Sequence, residues 1–273
     1  MAFESWTAFG LVGLGLAAGA FGTLVGAGGG FILTPILLLV YPHESPRTIT
    51  AISLMAVFFN AASGSIAYAR QRRIDLRSGL VFGAATLPGS IAGAIAVEHV
   101  GRELFDLLMG VLLAVLAVWL VFGNRAPRTE DHGGTLRVLT DATGFTYRYH
   151  VPVVRGAILS VGVGFVSTFL GIGGGVVHVP LLVRALGFPT HIATATSHFV
   201  LAIMAGSATA THLASGALSF GHGLRRALAL SLGVVIGAQA GARLSVNLSG
   251  RTIELLLVGA LAILSVRLLV GAA

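Results

Sequence analysis

Gly26-Ala27-Gly28-Gly29-Gly30 runs on to Pro35, and Gly171-Ile172-Gly173-Gly174-Gly175 runs on to Pro180, so one pattern, G-x-G-G-G-x-x-x-x-P, occurs twice, 145 residues apart. Residues 22–38 match 167–183 at seven of 17 positions: Thr23/Thr168, the four glycine pairs, Pro35/Pro180 and Leu37/Leu182. Such self-similarity marks an internal repeat. It continues at an offset of 144, where Thr50-Ala51-Ile52-Ser53 faces Thr194-Ala195-Thr196-Ser197 and Gly89 and Gly93 face Gly233 and Gly237. Each glycine costs a helix about 1 kcal/mol relative to alanine, so three in a row read as a break. At membrane depth, unwound backbone survives only where protein or a wet cavity satisfies it. Breaks in corresponding places of two halves therefore point to a transporter's binding site.

The surroundings of both copies require a membrane. Hydrophobic residues make up 55% of the 273, charged residues 10%, and the mean hydropathy is +0.92; an average soluble domain is about 25% charged. Uncharged stretches at 8–25, 49–69, 78–97, 107–123, 156–183 and 192–213 lie near the roughly 20 residues that cross a bilayer, with weaker spans at 228–242 and 252–273. Glu254 and Arg267 of the last span are expected to snorkel from its ends. Met1-Ala2-Phe3-Glu4 has no basic run and no cleavage signature follows it, so the first span is expected to stay in the protein. Cysteine and lysine are both absent, which removes disulfides, thiolate chemistry and lysine nucleophiles. The net charge of +7 rests on 17 arginines. These flank the spans as membrane anchoring requires, and call for lipid rather than nucleic acid as partner.

The fold class expected is all-α and polytopic, with two homologous halves: a first membrane repeat at 1–123, a polar cytoplasmic connector at 124–150, and a second membrane repeat at 151–273. Each half holds about five helical segments, one of them short and following the glycine break (31–41 and 176–187). A short piece of 11 or 12 residues reaches about 17 Å of a core about 30 Å thick. If these pieces cross, the repeats are inverted; if they re-enter, the repeats are parallel. Counting arginines by side gives 12 against five either way, so charge does not choose. Inversion is the expectation, because it sets the two breaks face to face.

A break leaves N–H groups unpaired at the start of the helix that follows, and with the helix dipole these form an anion site without a buried charge. The residues expected to bind substrate are Gly26, Gly28, Gly29, Gly30, Thr34, Pro35, Thr50, Ser53 and Asn60 in the first half, with Gly171, Gly173, Gly174, Gly175, Pro180, Thr194, Thr196 and Ser197 in the second. Packing of small residues between helices is the competing explanation for glycines, and back-bonding within a helix for the hydroxyls. His178 and His198 are candidates for proton coupling, since imidazole titrates near neutrality; a helix-to-helix hydrogen bond is their plainer role. The spacing of the nine histidines matches no metal motif, so no metal site and no cofactor are expected. The histidines leave a divalent-metal permease as the alternative function, disfavoured by the scarcity of carboxylates within spans. Neither a G-x-S-G motif nor a pair of in-membrane aspartates is present, so no enzyme is expected.

With its size, its two halves and one G-x-G-G-G-x-x-x-x-P segment in each, the chain resembles the sulfite exporter TauE/SafE family over nearly its whole length. The resemblance implies a permease for sulfite, sulfonates or related small organic anions in the bacterial inner membrane, either passive or proton-linked, and a homodimer. It carries over to Gly26, Gly28, Gly29, Gly30 and Pro35, to Gly171, Gly173, Gly174, Gly175 and Pro180, and more loosely to the Thr-Ala-x-Ser stretches.

Overall fold

The structure, a computed structural model, describes residues 5–122, 134–218 and 222–272. The first half contains α1 (Ser5–Val25), α2 (Gly30–Val40), α3 (Pro46–Arg70), α4 (Leu76–Ala96) and α5 (Arg102–Phe122). The second contains α6 (Val153–Phe169), α7 (Gly175–Pro180, continued by a π stretch at Leu181–Ala185), α8 (Thr190–Ala214), α9 (His222–Leu244) and α10 (Gly250–Ala272). Among the described residues, seven helices are long and apolar enough to cross a membrane. Local sequence sets several starts. Ser45 caps α3 by accepting from the Thr48 N–H, with Pro46 at the first helical position, and Asp75 caps α4 by accepting from the Ser78 N–H.

The connector differs from the plain polar segment expected. Thr135–Thr140 (β1) and Thr146–Val151 (β2) pair as an antiparallel hairpin. Its turn is organised by Asp141, whose carboxylate accepts from the N–H groups of Thr143 and Phe145. Arg125, Arg128, Glu130 and Asp131 of the connector lie outside the described residues. Glu254 also departs from expectation. It is buried and paired with Arg184 at 3.6 Å, so an ion pair, not snorkelling, accommodates it.

Contacts fix the helix directions. Gly15 and Gly19 of α1 lie against Leu230 and Val234 of α9, and Gly241 against Ala20, so α1 and α9 run parallel. Gly156 and Gly164 of α6 meet Phe82 and Thr86 of α4 in the same sense. Ser63 donates to the Val235 carbonyl and Gln71 to that of Ala242, making α3 parallel to α9. Gly79 and Gly83 meet Phe199 and Ile203, and Ser90 donates to Ser207, making α4 parallel to α8. Across the centre Gly64 meets His198 and Gly206 meets Phe58, so α3 and α8 are antiparallel. Thus α1, α3 and α9 point one way and α4, α6 and α8 the other. Because α1 and α3 share a direction, the stretch carrying α2 returns across the layer between them; α7 does the same between α6 and α8.

Glycines make these pairings close. A Cβ on Gly237 would strike the Leu16 carbonyl and sit 2.8 Å from Ala20 N, whereas one on Gly13 would meet nothing within 4 Å. We expect Gly237→Leu to force α1 and α9 apart and cost about 1–3 kcal/mol, lowering the unfolding temperature in detergent. Gly13→Ala should leave it unchanged. Helices α3 and α8 are the innermost, while α5 and α10 present Leu107, Val111, Val115, Val118, Leu255 and Ile263 outward, as helices facing lipid do.

Candidate substrate site at the crossed breaks

The two glycine segments meet at the centre of the molecule. The Val57 and Leu201 side chains, near the middles of α3 and α8, both contact Gly28 and Gly173, so each break lies against the same apolar pair. Gly26 packs on Thr194, 2.6 Å from its methyl to an added Cβ, and Gly171 packs on Thr50 at 2.7 Å. Gly30 faces the Ile172 carbonyl, and Gly175 faces Gly26 and Ala27. The hydroxyls follow suit. Thr34 and Ser53 donate to the Gly171 carbonyl at 2.6 and 2.9 Å, and Ser197 donates to that of Gly26 at 3.5 Å.

Glycine is required here for two reasons. Gly26, Gly28, Gly171 and Gly173 all adopt positive φ, between 67° and 77°, where a Cβ costs about 1–2 kcal/mol. The second reason is contact between backbones, met at Gly30 and Gly175. The pairing of glycines is not complete, however. Gly29 has φ 78° while Gly174 is ordinarily helical at φ −59°. The helices after the breaks also differ. Helix α2 runs 11 residues, but α7 has a single α segment of six before the π stretch. Both lack a side-chain cap. The dipole expected at both breaks is therefore longer at the first.

All the residues expected to bind substrate are buried, but they do not all converge. Thr196 accepts from the Asp75 N–H at 3.0 Å and so serves the start of α4. Pro35 and Pro180 lie inside α2 and at the end of α7, where each removes a hydrogen-bond donor. The histidines have separate surroundings. His178 shares a hydrogen bond with Ser160 at 3.2 Å and meets Phe82 edge-on. His198 shares one with Thr23 at 3.2 Å, and its ring meets that of Tyr68.

Thr23, Val57, Tyr68 and Leu201 were not among the expected site residues. Thr23 was recoverable, since it is one of the seven repeat identities. Val57 and Leu201 are 144 residues apart, in repeat register, yet an apolar residue in an apolar helix carries no signal. Several polar atoms around the breaks have no hydrogen-bond partner among the described residues: Asn60 Nδ2, Ser167 Oγ, Thr168 Oγ1 and Thr194 Oγ1. Native structures leave few such groups.

A second polar cluster holds the hairpin. Arg73 donates from Nε and Nη2 to Asp141 Oδ2 at 3.2 and 3.1 Å, both side chains buried. Tyr149 donates to Asp75 at 3.1 Å, with Arg137 3.5 Å from the same oxygen. Burial by itself would raise the Asp141 carboxyl pKa. The side chain and N–H of Thr143, with Arg73 and the Phe145 N–H, outweigh it and hold the carboxyl below the usual range. Burial, then the neighbouring Asp75, pushes Tyr149 up.

A bundle of long apolar helices with two returning, glycine-broken segments crossed at its centre defines a multi-pass membrane transporter. A family model described as sulfite exporter TauE/SafE matches residues 11–268, and the chain belongs to that family. A probable membrane transporter protein of Bacillus subtilis, YunE, is 30% identical over 254 residues, covering 90% of this chain and 92% of that protein. One from Xylella fastidiosa is 31% identical over 182 residues, 66% of this chain and 62% of its own length. One from Methanocaldococcus jannaschii is 21% identical over 269 residues, covering 95% and 94%. No solved structure matches significantly.

Proposed function

We propose that the protein is a secondary transporter that moves a small sulfur-containing or organic anion, such as sulfite or a sulfonate, by alternating access around the crossed breaks. The observation that carries this reading is the contact of two unwound segments with each other and with the middles of the two innermost helices. The helix directions support inverted repeats, in which corresponding helices run oppositely and one bundle rocks against the other around a fixed centre. The face holding the hairpin also carries Arg70, Arg72, Arg73, Arg77, Arg137, Arg148 and Arg155, which favours it as the cytoplasmic side of a bacterial inner membrane. A divalent-metal permease gains nothing from the geometry: His178 and His198 face different neighbours, and no group of three metal-ligating side chains occurs among the described residues.

Flux of labelled sulfite into proteoliposomes, at an imposed potential and with sulfonates and a divalent metal as competitors, tests the reading. Each charge moved across 100 mV changes the driving force by about 2.3 kcal/mol, so saturable, potential-sensitive flux is expected. Flux no greater than in empty vesicles would refute it.

A further inference from the structure

The hairpin and the first turns of α6 enclose a groove that the crossed breaks do not use. It holds about 550 Å³, inside the range of about 300–1,000 Å³ typical of small-molecule sites. Gly134, Thr135 and Val151 line it from the hairpin, and Val153, Arg155 and Ile158 from α6. Its side chains are thus apolar except for one hydroxyl and one cation. Arg155 is exposed. The arginines that hold the hairpin have carboxylates, Arg73 in Asp141 and Arg137 in Asp75, whereas Arg155 has none among the described residues. Its charge calls for an anion from outside the chain.

From the groove an apolar track runs down the same helix. Ile158, Val161 and Phe165 are 68%, 40% and 39% exposed, and spacings of three and four residues set them on one helix face with Arg155. Gly162 is also exposed, and a Cβ there would meet nothing within 4 Å, so the track is indented along its length. Helix α6 starts at the hairpin and ends beside the second break. The cation therefore stands at the membrane surface and the track lies in the hydrocarbon. An occupant that satisfies both carries a negative charge at one end and an alkyl chain at the other. The first half offers no equivalent: at the repeat offset of 145, Gly10 stands for Arg155 and Gly13 for Ile158.

We propose that the groove holds one anionic phospholipid, its phosphate on Arg155, its headgroup between the hairpin and α6, and an acyl chain along Ile158, Val161 and Phe165. Anionic lipids are attracted to arginines at the membrane surface, and here a shaped groove adds selection to that attraction. A zwitterionic lipid would bring a second cation to Arg155, and a free phosphate would leave the apolar track uncovered. The lipid joins the hairpin to the start of α6, two parts that meet at Val151 and Val153 with only Pro152 between them. This site is separate from the crossed breaks and does not depend on what the protein transports.

The test is mass spectrometry of the intact, detergent-purified chain titrated with phosphatidylglycerol or with phosphatidylcholine of the same acyl chains, reading the affinity of the first lipid bound. In the unaltered protein phosphatidylglycerol should bind about fivefold more tightly, the scale of one arginine at an anionic surface. Arg155→Gln, at an exposed position that folding does not need, should bring the two lipids within about twofold. Arg77→Gln alters an exposed arginine of the same face outside the groove and should keep the preference. Ile158→Asn should weaken both lipids alike and leave their ratio unchanged. Millimolar inorganic phosphate should not displace the bound lipid. Equal affinities in the unaltered protein, a preference kept in Arg155→Gln or lost as fully in Arg77→Gln, or displacement by inorganic phosphate would each overturn the assignment.

Discussion

Alanine at Gly175 is expected to cut anion flux by about two orders of magnitude, the upper end of what an overpacked contact of 1–3 kcal/mol produces. The position isolates the contact between breaks from backbone strain. Gly175 does not have positive φ, so a Cβ is tolerated locally. That Cβ would strike the Gly26 carbonyl and lie 2.6 Å from Ala27 Cα, backbone atoms that cannot rotate away. Gly30→Ala makes the reciprocal collision, 2.5 Å from the Ile172 carbonyl and 2.6 Å from a Val57 methyl. Gly174→Ala should be milder, since it meets the flexible Met204 sulfur at 3.0 Å. Gly162→Ala, which meets nothing within 4 Å, is the matched control. Initial flux at equal protein density, with size-exclusion profiles as the check on folding, decides. Flux within twofold of the control in Gly175→Ala would mean that the breaks need not touch.

Removing Arg73 should destabilise the protein by about 3–5 kcal/mol, because it leaves Asp141 buried without its cation. The loss should centre on the hairpin and appear as faster hydrogen exchange at 135–151 in Arg73→Ala. Acid should do the same to the unaltered protein. The Asp141 carboxyl is held below its ordinary value, so the stabilisation is complete above the unfolded carboxylate pKa near about 3.9. It is lost as pH falls through the lower folded value. Hairpin exchange that is insensitive to both the substitution and acid would remove this ion pair from the account.

Much of this architecture was legible because repetition and hydrophobicity act over long stretches. The duplicated glycines located both breaks to within a residue, and uncharged length located the spans. What was not legible depended on contacts across the fold. Nothing local distinguishes Arg73 and Asp141 from other charges in a polar connector; they pair only because the hairpin folds back on the α3–α4 turn. The strands of that hairpin were hidden by their setting, since Thr135–Thr140 and Thr146–Val151 read as a polar linker when arginines and aspartates set the expectation. Thr196 bonds away from the break for a helical reason. It sits beside Ser197, but neighbouring residues of a helix point about 100° apart, so one hydroxyl serves the break and the other serves α4. The difference between Gly29 and Gly174 was equally invisible, because identical residues do not impose identical φ.

The central claim, that Ser53 and Ser197 flank a single crossing reached alternately from both faces, is best tested by thiol accessibility. The chain has no native cysteine, so Ser53→Cys and Ser197→Cys each supply a single reporter. A membrane-impermeant maleimide would be applied to oriented vesicles from one side and then, in a separate sample, from the other. The account predicts that both thiols label from both sides. Labelling of each thiol from one fixed side alone, in protein that still transports, would contradict it.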